Sequence, residues 1–190
     1  MPTVSGTTRE VFGRRTSIHA NGGDLIFCKE IHVSETAKCR DRLAKYCVGR
    51  GLDMGCGDEK IVPSATGVDW RKTPAVDVVA SVEDVTWLED KSLDYIFSSH
   101  LLEHLPYPWR TLRLWLSKLK DGGYLVLYLP HRDRYREWNA EHFWNPSADI
   151  VTGMIEEAAG TSGRSVTVVH EALDWGHDRY SFDLVVQVRG

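Results

Sequence analysis

Residues 51–60 have the sequence GLDMGCGDEK, and this stretch decides the fold. Its first four residues form a short apolar run typical of a buried strand, and Gly55-Cys56-Gly57 then breaks the run with a turn. Because the two glycines carry no Cβ, a ligand can come against the backbone of this turn. Asp53, at the start of the turn, favours a cationic ligand group. The stretch therefore predicts a strand that ends in a ligand-binding turn.

Strands and helices alternate along the chain around this turn. Such alternation is typical of an α/β, Rossmann-like doubly wound fold, in which a mostly parallel sheet carries helices on both faces. The last two strands, joined by the loop DWGHDRY, are predicted to close a seven-stranded sheet as a C-terminal antiparallel hairpin. The predicted strands cover residues 51–54, 65–69, 76–80, 93–98, 124–129, 165–173 and 181–189. The predicted helices cover residues 35–47, 101–105, 109–119 and 147–159.

The length and composition of the chain fit one domain. Its 190 residues, 42% hydrophobic and 26% charged, are enough for a full core. The chain contains no internal repeat and no low-complexity linker, so we expect a single domain over residues 1–190. Residues 1–24 are polar and show little periodicity, and they are predicted to be a flexible arm or a lid over the binding site.

Charge and cysteine usage narrow the expected partners and location. The formal net charge of −4 gives no global positive field, so a nucleic-acid partner is not expected. The chain lacks both the apolar stretch of a signal peptide and the roughly 18 apolar residues of a membrane span. No two of its four cysteines form a C-x-x-C pair. We therefore expect a cytoplasmic protein with free thiols and no membrane partner, and the oligomeric state stays open.

The glycine turn does not fit a dinucleotide site, because a G-x-G-x-x-G fingerprint would require glycine where Lys60 stands. The stretch GLDMGCGDEK instead resembles motif I of the class I S-adenosylmethionine-dependent methyltransferases, and the resemblance continues over residues 50–130. In that family the acidic residue and the glycines surround the methionine part of the cofactor. The resemblance implies that S-adenosylmethionine is the cofactor, with its methionine end at Asp53, Gly55, Cys56 and Gly57.

Further motifs extend the resemblance to the rest of the cofactor. The segment ATGVDW ends the second predicted strand with an acid where the family binds ribose, followed by a side chain that often packs on adenine. The residues after the third strand stand where the family contacts the adenine amino edge. The segment LDYIFSSHLLEHL resembles the fourth-strand motif, whose loop lies near the methionine end. The cofactor-binding residues implied in this way are Asp69, Trp70, Val82, Glu83, Ser98 and Ser99.

The sequence also departs from the family pattern. Glu59 stands at the third glycine of the fuller motif, and Ser81 stands where many relatives have aspartate. Only eleven residues separate Gly57 from Asp69, so the first crossover helix is predicted to be very short or absent. The compressed spacing is similar to that of methyltransferase-like proteins found near polysaccharide biosynthesis genes. That similarity implies a saccharide or another small-molecule acceptor.

The acceptor side is predicted at residues 131–145, HRDRYREWNAEHFWN, which follow the fifth strand and carry three arginines and four aromatic residues. In this fold the loop lies over the methyl donor, where arginines suit phosphate or carboxylate and aromatic faces suit sugars. Methyl transfer is an in-line displacement whose leaving group needs no proton, but an oxygen acceptor gains from a base. His100 and His131 are the candidate catalytic bases, because imidazole titrates near neutral pH.

The sequence also suggests a metal site and three other functions as alternatives to this interpretation. His100, Glu103 and His104 are predicted to share one helical turn, with His131 as a further potential ligand. A subset of the family holds a divalent ion with a similar Glu-x-x-Glu-His set, but the first ligand here is histidine, and we expect no metal. The open alternatives are a protein or RNA methyltransferase, a non-catalytic S-adenosylmethionine-binding regulatory module, and another kind of nucleotide-binding domain.

Overall fold

The computed structural model describes residues 9–11, 14–16, 20–21, 24–25, 31–135, 139–174 and 179–190. The chain divides into two units, Met1–Ser34 and Glu35–Gly190. The described strands of the first unit are Arg9–Val11 (β1), Arg14–Thr16 (β2), Ala20–Asn21 (β3), Asp24–Leu25 (β4) and Ile31–His32 (β5). They pair antiparallel, as a sheet of order β1-β2-β5 and a separate pair of β3 and β4. The single domain over residues 1–190 and the lid both stay predictions.

A seven-stranded sheet forms the centre of the second unit. Its strands are Gly51–Met54 (β6), Thr66–Asp69 (β7), Val78–Val79 (β8), Leu93–Ser99 (β9), Leu119–Pro130 (β10), Ser165–Leu173 (β11) and Ser181–Arg189 (β12). Their order across the sheet is β11-β12-β10-β9-β6-β7-β8. The strands from β10 to β8 run parallel, and β12 pairs antiparallel with both β10 and β11. The predicted α/β sheet with a C-terminal antiparallel hairpin is confirmed.

Three helices pack on this sheet: Glu35–Leu43 (α1), Pro108–Lys118 (α2) and Ala148–Gly160 (α3). The first predicted helix, over residues 35–47, is confirmed, but its last turn, Ala44–Tyr46, is a 3₁₀ helix. α2 begins at a proline, which suits the first helical turn because its missing N–H would have no partner there. It buries Leu112, Trp115 and Leu116, whose spacing places them on one face.

Two predicted elements are shorter than the sequence pattern indicated. The helix predicted over residues 101–105 is a 3₁₀ turn at Leu102–His104, because Leu105 precedes Pro106 and takes an extended conformation. The strand predicted over residues 76–80 is only Val78–Val79, at the edge of the sheet. The amide of Val76 closes a turn on the Thr73 carbonyl instead of joining the sheet.

β10 is longer than its predicted core of residues 124–129. Leu119 pairs with Leu93, and the register then shifts before Tyr124 pairs with Tyr95. Gly122, at φ +86°, allows the chain to bulge between these two pairs. The chain between β6 and β7 forms turns and no helix, as the short spacing predicted.

Alternate side chains of the central strands fill two apolar cores, one on each face of the sheet. On β9, Tyr95 and Phe97 pack in one core with Leu43 of α1. Ile96, between them, packs in the other core with Trp115 of α2. Because β6 pairs parallel with both β7 and β9, the carboxyl ends of these three strands lie at the same edge of the sheet. Within the described part of the chain, no helix is both long enough and apolar enough to cross a membrane.

Candidate active site

The glycine turn after β6 lies at the carboxyl edge of the sheet, where β7 and β9 flank it. Gly55 and Gly57 take left-handed conformations, with φ of +72° and +55°. The turn closes where the Gly55 amide donates to the Val68 carbonyl at 2.8 Å. A Cβ on Gly55 would meet the Leu101 side chain at 3.0 Å, whereas one on Gly57 would find only an Arg71 nitrogen, at 3.9 Å. The space against Gly57 is therefore open to a ligand.

Asp53 and Cys56 are both buried beside this turn, at 1% and 5% exposure. The Asp53 carboxylate accepts a hydrogen bond from the Ile61 amide at 2.6 Å, which closes the loop that follows the turn. Burial raises the pKa of Asp53 to about 7. Burial also raises the pKa of the Cys56 thiol to about 12, so this thiol stays protonated and unreactive at neutral pH. Their contacts with the cofactor stay predictions.

Asp69 links the end of β7 to the glycine turn. Its Oδ2 accepts the Gly57 amide at 3.0 Å, and its Oδ1 accepts the Arg71 amide at 2.9 Å. Each carboxylate oxygen has a second lone pair for a ligand hydroxyl. Trp70, next in the chain, is 75% exposed, with the Arg71 guanidinium 5.9 Å from its ring. The structure thus brings Gly57, Asp69 and Trp70 to one edge, as the predicted cofactor site requires.

The remaining predicted cofactor residues differ in the burial and hydrogen bonding of their side chains. Val82 is buried in the core, and Glu83 beside it is exposed. Ser98 is fully buried, and its hydroxyl donates to the Met54 carbonyl at 3.0 Å, which ties β9 to β6. The hydroxyl of Ser99 is also buried, but it has no hydrogen-bond partner among the described residues. The hydroxyl of Ser99 is therefore unpaired but enclosed, whereas that of Ser98 is used within the sheet.

His100 follows β9 in a left-handed conformation, at φ +47°, which is rare for a residue with a side chain. Its Nε2 lies 2.9 Å from the Ser181 hydroxyl and 3.4 Å from a Glu35 carboxylate oxygen. Its Nδ1 lies 3.7 Å from Glu103 Oε1. Burial, reinforced by the charge of Lys38, holds the pKa of His100 well below its usual range. The imidazole is therefore neutral at pH 7 and can accept a proton, but it is a weaker base than the near-neutral titration expected from the sequence, because burial disfavours its charged form.

Glu103 is fully buried in the 3₁₀ turn that follows His100. Neither of its carboxylate oxygens has a hydrogen-bond partner among the described residues. Burial, reinforced by the nearby Glu35, raises the pKa of Glu103 to about 8. A buried carboxyl group without a partner is rare in native proteins and requires a physical reason.

The described part of the predicted acceptor loop is hydrogen-bonded to this 3₁₀ turn. Arg136 and Trp138 lie outside the described residues. Two hydrogen bonds of 2.9 Å run from the loop to the turn, from the Phe143 amide to the Glu103 carbonyl and from Trp144 Nε1 to the Leu102 carbonyl. A third joins His104 Nδ1 to the Glu141 carbonyl at 3.2 Å. They place the His142 ring 4.7 Å from the His104 ring. Together these contacts bring Glu103, His104 and His142 close to one another.

His131, the second predicted base, contacts a different set of residues from His100. Its amide donates to the Tyr180 carbonyl at 2.6 Å, and its Nδ1 accepts the Asp133 amide at 3.2 Å. Its ring packs edge-on against Phe182, at 5.8 Å between centroids. The four potential ligands predicted from the sequence do not assemble as one group, since neither His100 nor His131 is among the clustered side chains of the described residues.

Glu35, Ser181 and His142 contact the candidate site, and sequence reasoning did not single them out. Glu35 and Ser181 lie 65 and 81 positions from His100 and reach it only through the packing of α1 and β12. No local motif marks them. A sequence signal did exist for His142, because it lies in the histidine- and aromatic-rich loop that was predicted to cover the site.

Comparisons with known proteins agree with this geometry. The sequence profile of the methyltransferase domain family matches residues 32–158. The N-methyltransferase NodS from Bradyrhizobium japonicum WM9 has a TM-score of 0.59 and 18% identity, over 82% of this chain and 94% of that one. The Burkholderia thailandensis 1,6-didemethyltoxoflavin-N1-methyltransferase was solved with bound S-adenosylhomocysteine. It has a TM-score of 0.64 and 13% identity, over 83% of this chain and 79% of that one. No curated protein sequence matches the chain.

A third structure contains a methyltransferase in complex with the Haloferax volcanii Trm112 methyltransferase activator, with a TM-score of 0.59 and 15% identity over 82% of this chain and 90% of that one. At such low identity these structures show a shared fold. The family profile, however, covers 127 of the 190 residues, including the turn after β6 and the ends of β7 and β9. The chain therefore belongs to the methyltransferase domain family, as a class I enzyme that uses S-adenosylmethionine.

Proposed function

We propose that this enzyme transfers a methyl group to a hydroxyl oxygen of a small molecule or saccharide, with His100 as the base. The observation that carries the proposal is the position of His100. It follows β9 directly at the carboxyl edge of the sheet, beside the glycine turn, and its backbone is held in a rare conformation. Strained residues that the surrounding structure holds in place cluster at active sites. Its side chain is 14% exposed and can therefore be reached by an acceptor.

The cofactor would lie along the edge formed by β6, β7 and β9. Open space against Gly57 admits the methionine part of the cofactor. The hydroxyl of Ser99 is buried and has no partner among the described residues, so it would offer the cofactor a hydrogen bond after rotation of its side chain. The second lone pairs of Asp69 suit the ribose hydroxyls, and the exposed face of Trp70 suits adenine. Glu83 and the backbone at Val82 complete the adenine side.

The reaction requires alignment and the removal of one proton. A lone pair of the acceptor oxygen forms a bond to the methyl carbon, and the bond from that carbon to sulfur breaks with its electron pair on sulfur. The bound cofactor would supply the methyl group and retain the electron pair as S-adenosylhomocysteine, and the imidazole of His100 would take the acceptor proton. The Ser181 hydroxyl, at 2.9 Å from Nε2, and the Glu35 carboxylate hold the ring in place.

A small acceptor is supported by the rim of the site. Phe143 is 67% exposed and offers a face on which a sugar ring can stack. Arg132, whose side chain is 48% exposed, offers a charge for a phosphate or carboxylate. The net charge of −4 argues against RNA as the acceptor.

The test is methyl transfer from labelled S-adenosylmethionine to a panel of sugars, sugar phosphates, phenols and amines. Two structural neighbours are named N-methyltransferases, which is why the panel includes amines. We expect hydroxyl acceptors to be methylated, and His100→Ala to lower kcat by about 100-fold or more while leaving the Kd for S-adenosylhomocysteine unchanged. His170→Gln, on β11, is the matched control and should retain full activity.

Two outcomes would overturn this assignment. One is transfer to amines alone at an undiminished rate in His100→Ala, since an uncharged amine needs no base before it attacks. The other is a loss of activity in His131→Ala with none in His100→Ala, which would move the role to the second predicted histidine. Binding of the cofactor without transfer to any acceptor class would favour a regulatory module instead.

A further inference from the structure

A cluster of potential metal ligands lies beside the proposed base, and the methyl-transfer proposal does not use it. One ligand atom each from Glu103, His104 and His142 lies within 4.8 Å of the others. His104 and His142 are half-buried, whereas Glu103 is fully buried. The cluster forms where the 3₁₀ turn after β9 meets residues 141–144 of the acceptor loop.

Glu103 is the strongest indication that the cluster has a ligand. Its side chain is fully buried, and both carboxylate oxygens lack a hydrogen-bond partner among the described residues. A buried polar group without a hydrogen-bond partner costs free energy unless a ligand supplies the missing contact. His100 Nδ1 lies 3.7 Å from Glu103 Oε1, beyond hydrogen-bond distance. A cation between Glu103 and the two histidines, with the carboxyl group deprotonated on binding, would supply that contact.

His104 is oriented as a metal ligand would be. Its Nδ1 lies 3.2 Å from the Glu141 carbonyl, which can only accept a hydrogen bond, so Nδ1 carries the proton. In a neutral imidazole, Nε2 then has the free lone pair that a ligand needs. Metal-binding histidines almost always donate their other ring N–H in this way, to a backbone carbonyl or a carboxylate.

The acceptor loop holds the third ligand in place. The amide of Phe143 and the indole nitrogen of Trp144, on the residues after His142, both bond to carbonyls of the 3₁₀ turn at 2.9 Å. In a tetrahedral zinc site, ligand atoms lie about 3.4 Å apart for bonds of about 2.1 Å. A contraction of up to about 1.4 Å by side-chain rotation, from the 4.8 Å within which the atoms now lie, would therefore complete the coordination.

We propose that Glu103, His104 and His142 form a binding site for a zinc-class divalent cation. Two imidazoles and one carboxylate match borderline metals such as Zn²⁺ or Co²⁺, whereas Ca²⁺ and Mg²⁺ prefer oxygen ligands. Three protein ligands leave at least one coordination position open, as in catalytic zinc sites. Metal binding here is independent of which acceptor is methylated, so the two proposals are tested separately.

Untagged protein, dialysed against a chelator and then freed of it, is titrated with Co²⁺ and followed by visible absorption. We expect d–d bands that saturate at one equivalent and disappear when Zn²⁺ is added. Glu103→Gln and His142→Ala should each weaken Zn²⁺ binding at least about 10-fold by calorimetry. His170→Gln, which changes a histidine outside the cluster, should bind as the wild type does.

Folding is checked in each variant by circular dichroism and by S-adenosylhomocysteine binding. His142→Ala alters a half-buried side chain in a loop, so it keeps the test valid if Glu103→Gln fails to fold. The proposal is overturned if wild-type protein shows no saturable Co²⁺ spectrum. It is equally overturned if folded His142→Ala binds Zn²⁺ with unchanged affinity.

Discussion

Asp53, on β6, has a buried carboxyl group whose hydrogen bond to the Ile61 amide closes the loop after the glycine turn. Only 1% of the residue is exposed, and burial raises its pKa to about 7, although Lys60 and Arg40 oppose the shift. The folded-state pKa of Asp53 is higher than its ordinary value. Its contribution to the unfolding free energy is therefore fully present only below about pH 4, and it is lost as the pH rises through about 7.

Asp53→Asn should therefore stabilise the protein increasingly as the pH rises. The amide oxygen still accepts from Ile61, and the variant carries no charge to bury. The difference in unfolding free energy between variant and wild type should grow by about 1.4 kcal/mol per pH unit from about pH 4 to 7, and then level off. Urea unfolding at several pH values measures it. A difference that stays constant over this range would show that Asp53 ionises normally.

Several site residues could be predicted from the sequence because their motifs are local. Gly57 and Asp69 are twelve positions apart and were expected at one edge, and their 3.0 Å hydrogen bond places them there. The burial of Ser98, on β9, could not be predicted, since one face of a strand looks like the other until a helix covers it. Val82 lies in the turn after β8, and its burial depends on how that turn packs on the core. The environment of His100 depends on Glu35 and Ser181, which only the tertiary fold brings to it.

At the scale of elements, α1 is attached to the C-terminal hairpin through Arg42. Its guanidinium contacts Asp183 on β12 at 2.7 Å and Asp174, just after β11, at 2.9 Å. Both carboxylates are buried, and the Tyr128 hydroxyl of β10 also donates to Asp174 at 2.8 Å. A single cation on α1 thus compensates two buried negative charges in the sheet.

Removing the Arg42 guanidinium should lower the free energy of unfolding. Arg42→Met leaves two buried carboxylates without it, and we expect a loss of about 3 kcal/mol in unfolding free energy at pH 7. Lys45→Met, at an exposed position in the 3₁₀ turn after α1, is the matched control and should change stability by less than about 0.5 kcal/mol. Equal stability of the two variants in chemical denaturation would contradict this account of how α1 is held.

The elements predicted best were those with strong local signals. α2 was predicted to within one residue at each end, because Leu112 and Leu116 mark its buried face and a glycine pair follows it. The helix at residues 101–105 was overpredicted, because the effect of Pro106 on Leu105 outweighed the apolar spacing. β8 was overpredicted because an edge strand pairs on one side only, so its ends are weakly determined.

At the scale of the molecule, the fold brings together chain segments that are distant in sequence. The ends of β6, β7 and β9 are neighbours because the parallel strands pair in the order β9-β6-β7. The alternation of strands and helices predicted that these strands are mostly parallel, but it did not predict their order across the sheet. The position of β12 between β10 and β11 follows from long-range pairing, which local patterns do not encode.

The central claim is that this edge holds S-adenosylmethionine against Gly57. Calorimetric titration of S-adenosylhomocysteine into wild type, Gly57→Ala and Gly163→Ala tests it most directly. Both glycines have left-handed backbones, with φ of +55° and +70°, and neither Cβ would meet an atom closer than 3.9 Å. The two substitutions therefore impose similar backbone strain, and only one lies in the proposed site.

We expect micromolar affinity in the wild type, a similar value in Gly163→Ala, and a loss of about 10-fold or more in Gly57→Ala, or about 1.4 kcal/mol. Such a result would place the cofactor on the glycine turn. Equal affinity in all three folded proteins, or no binding by the wild type, would contradict the account.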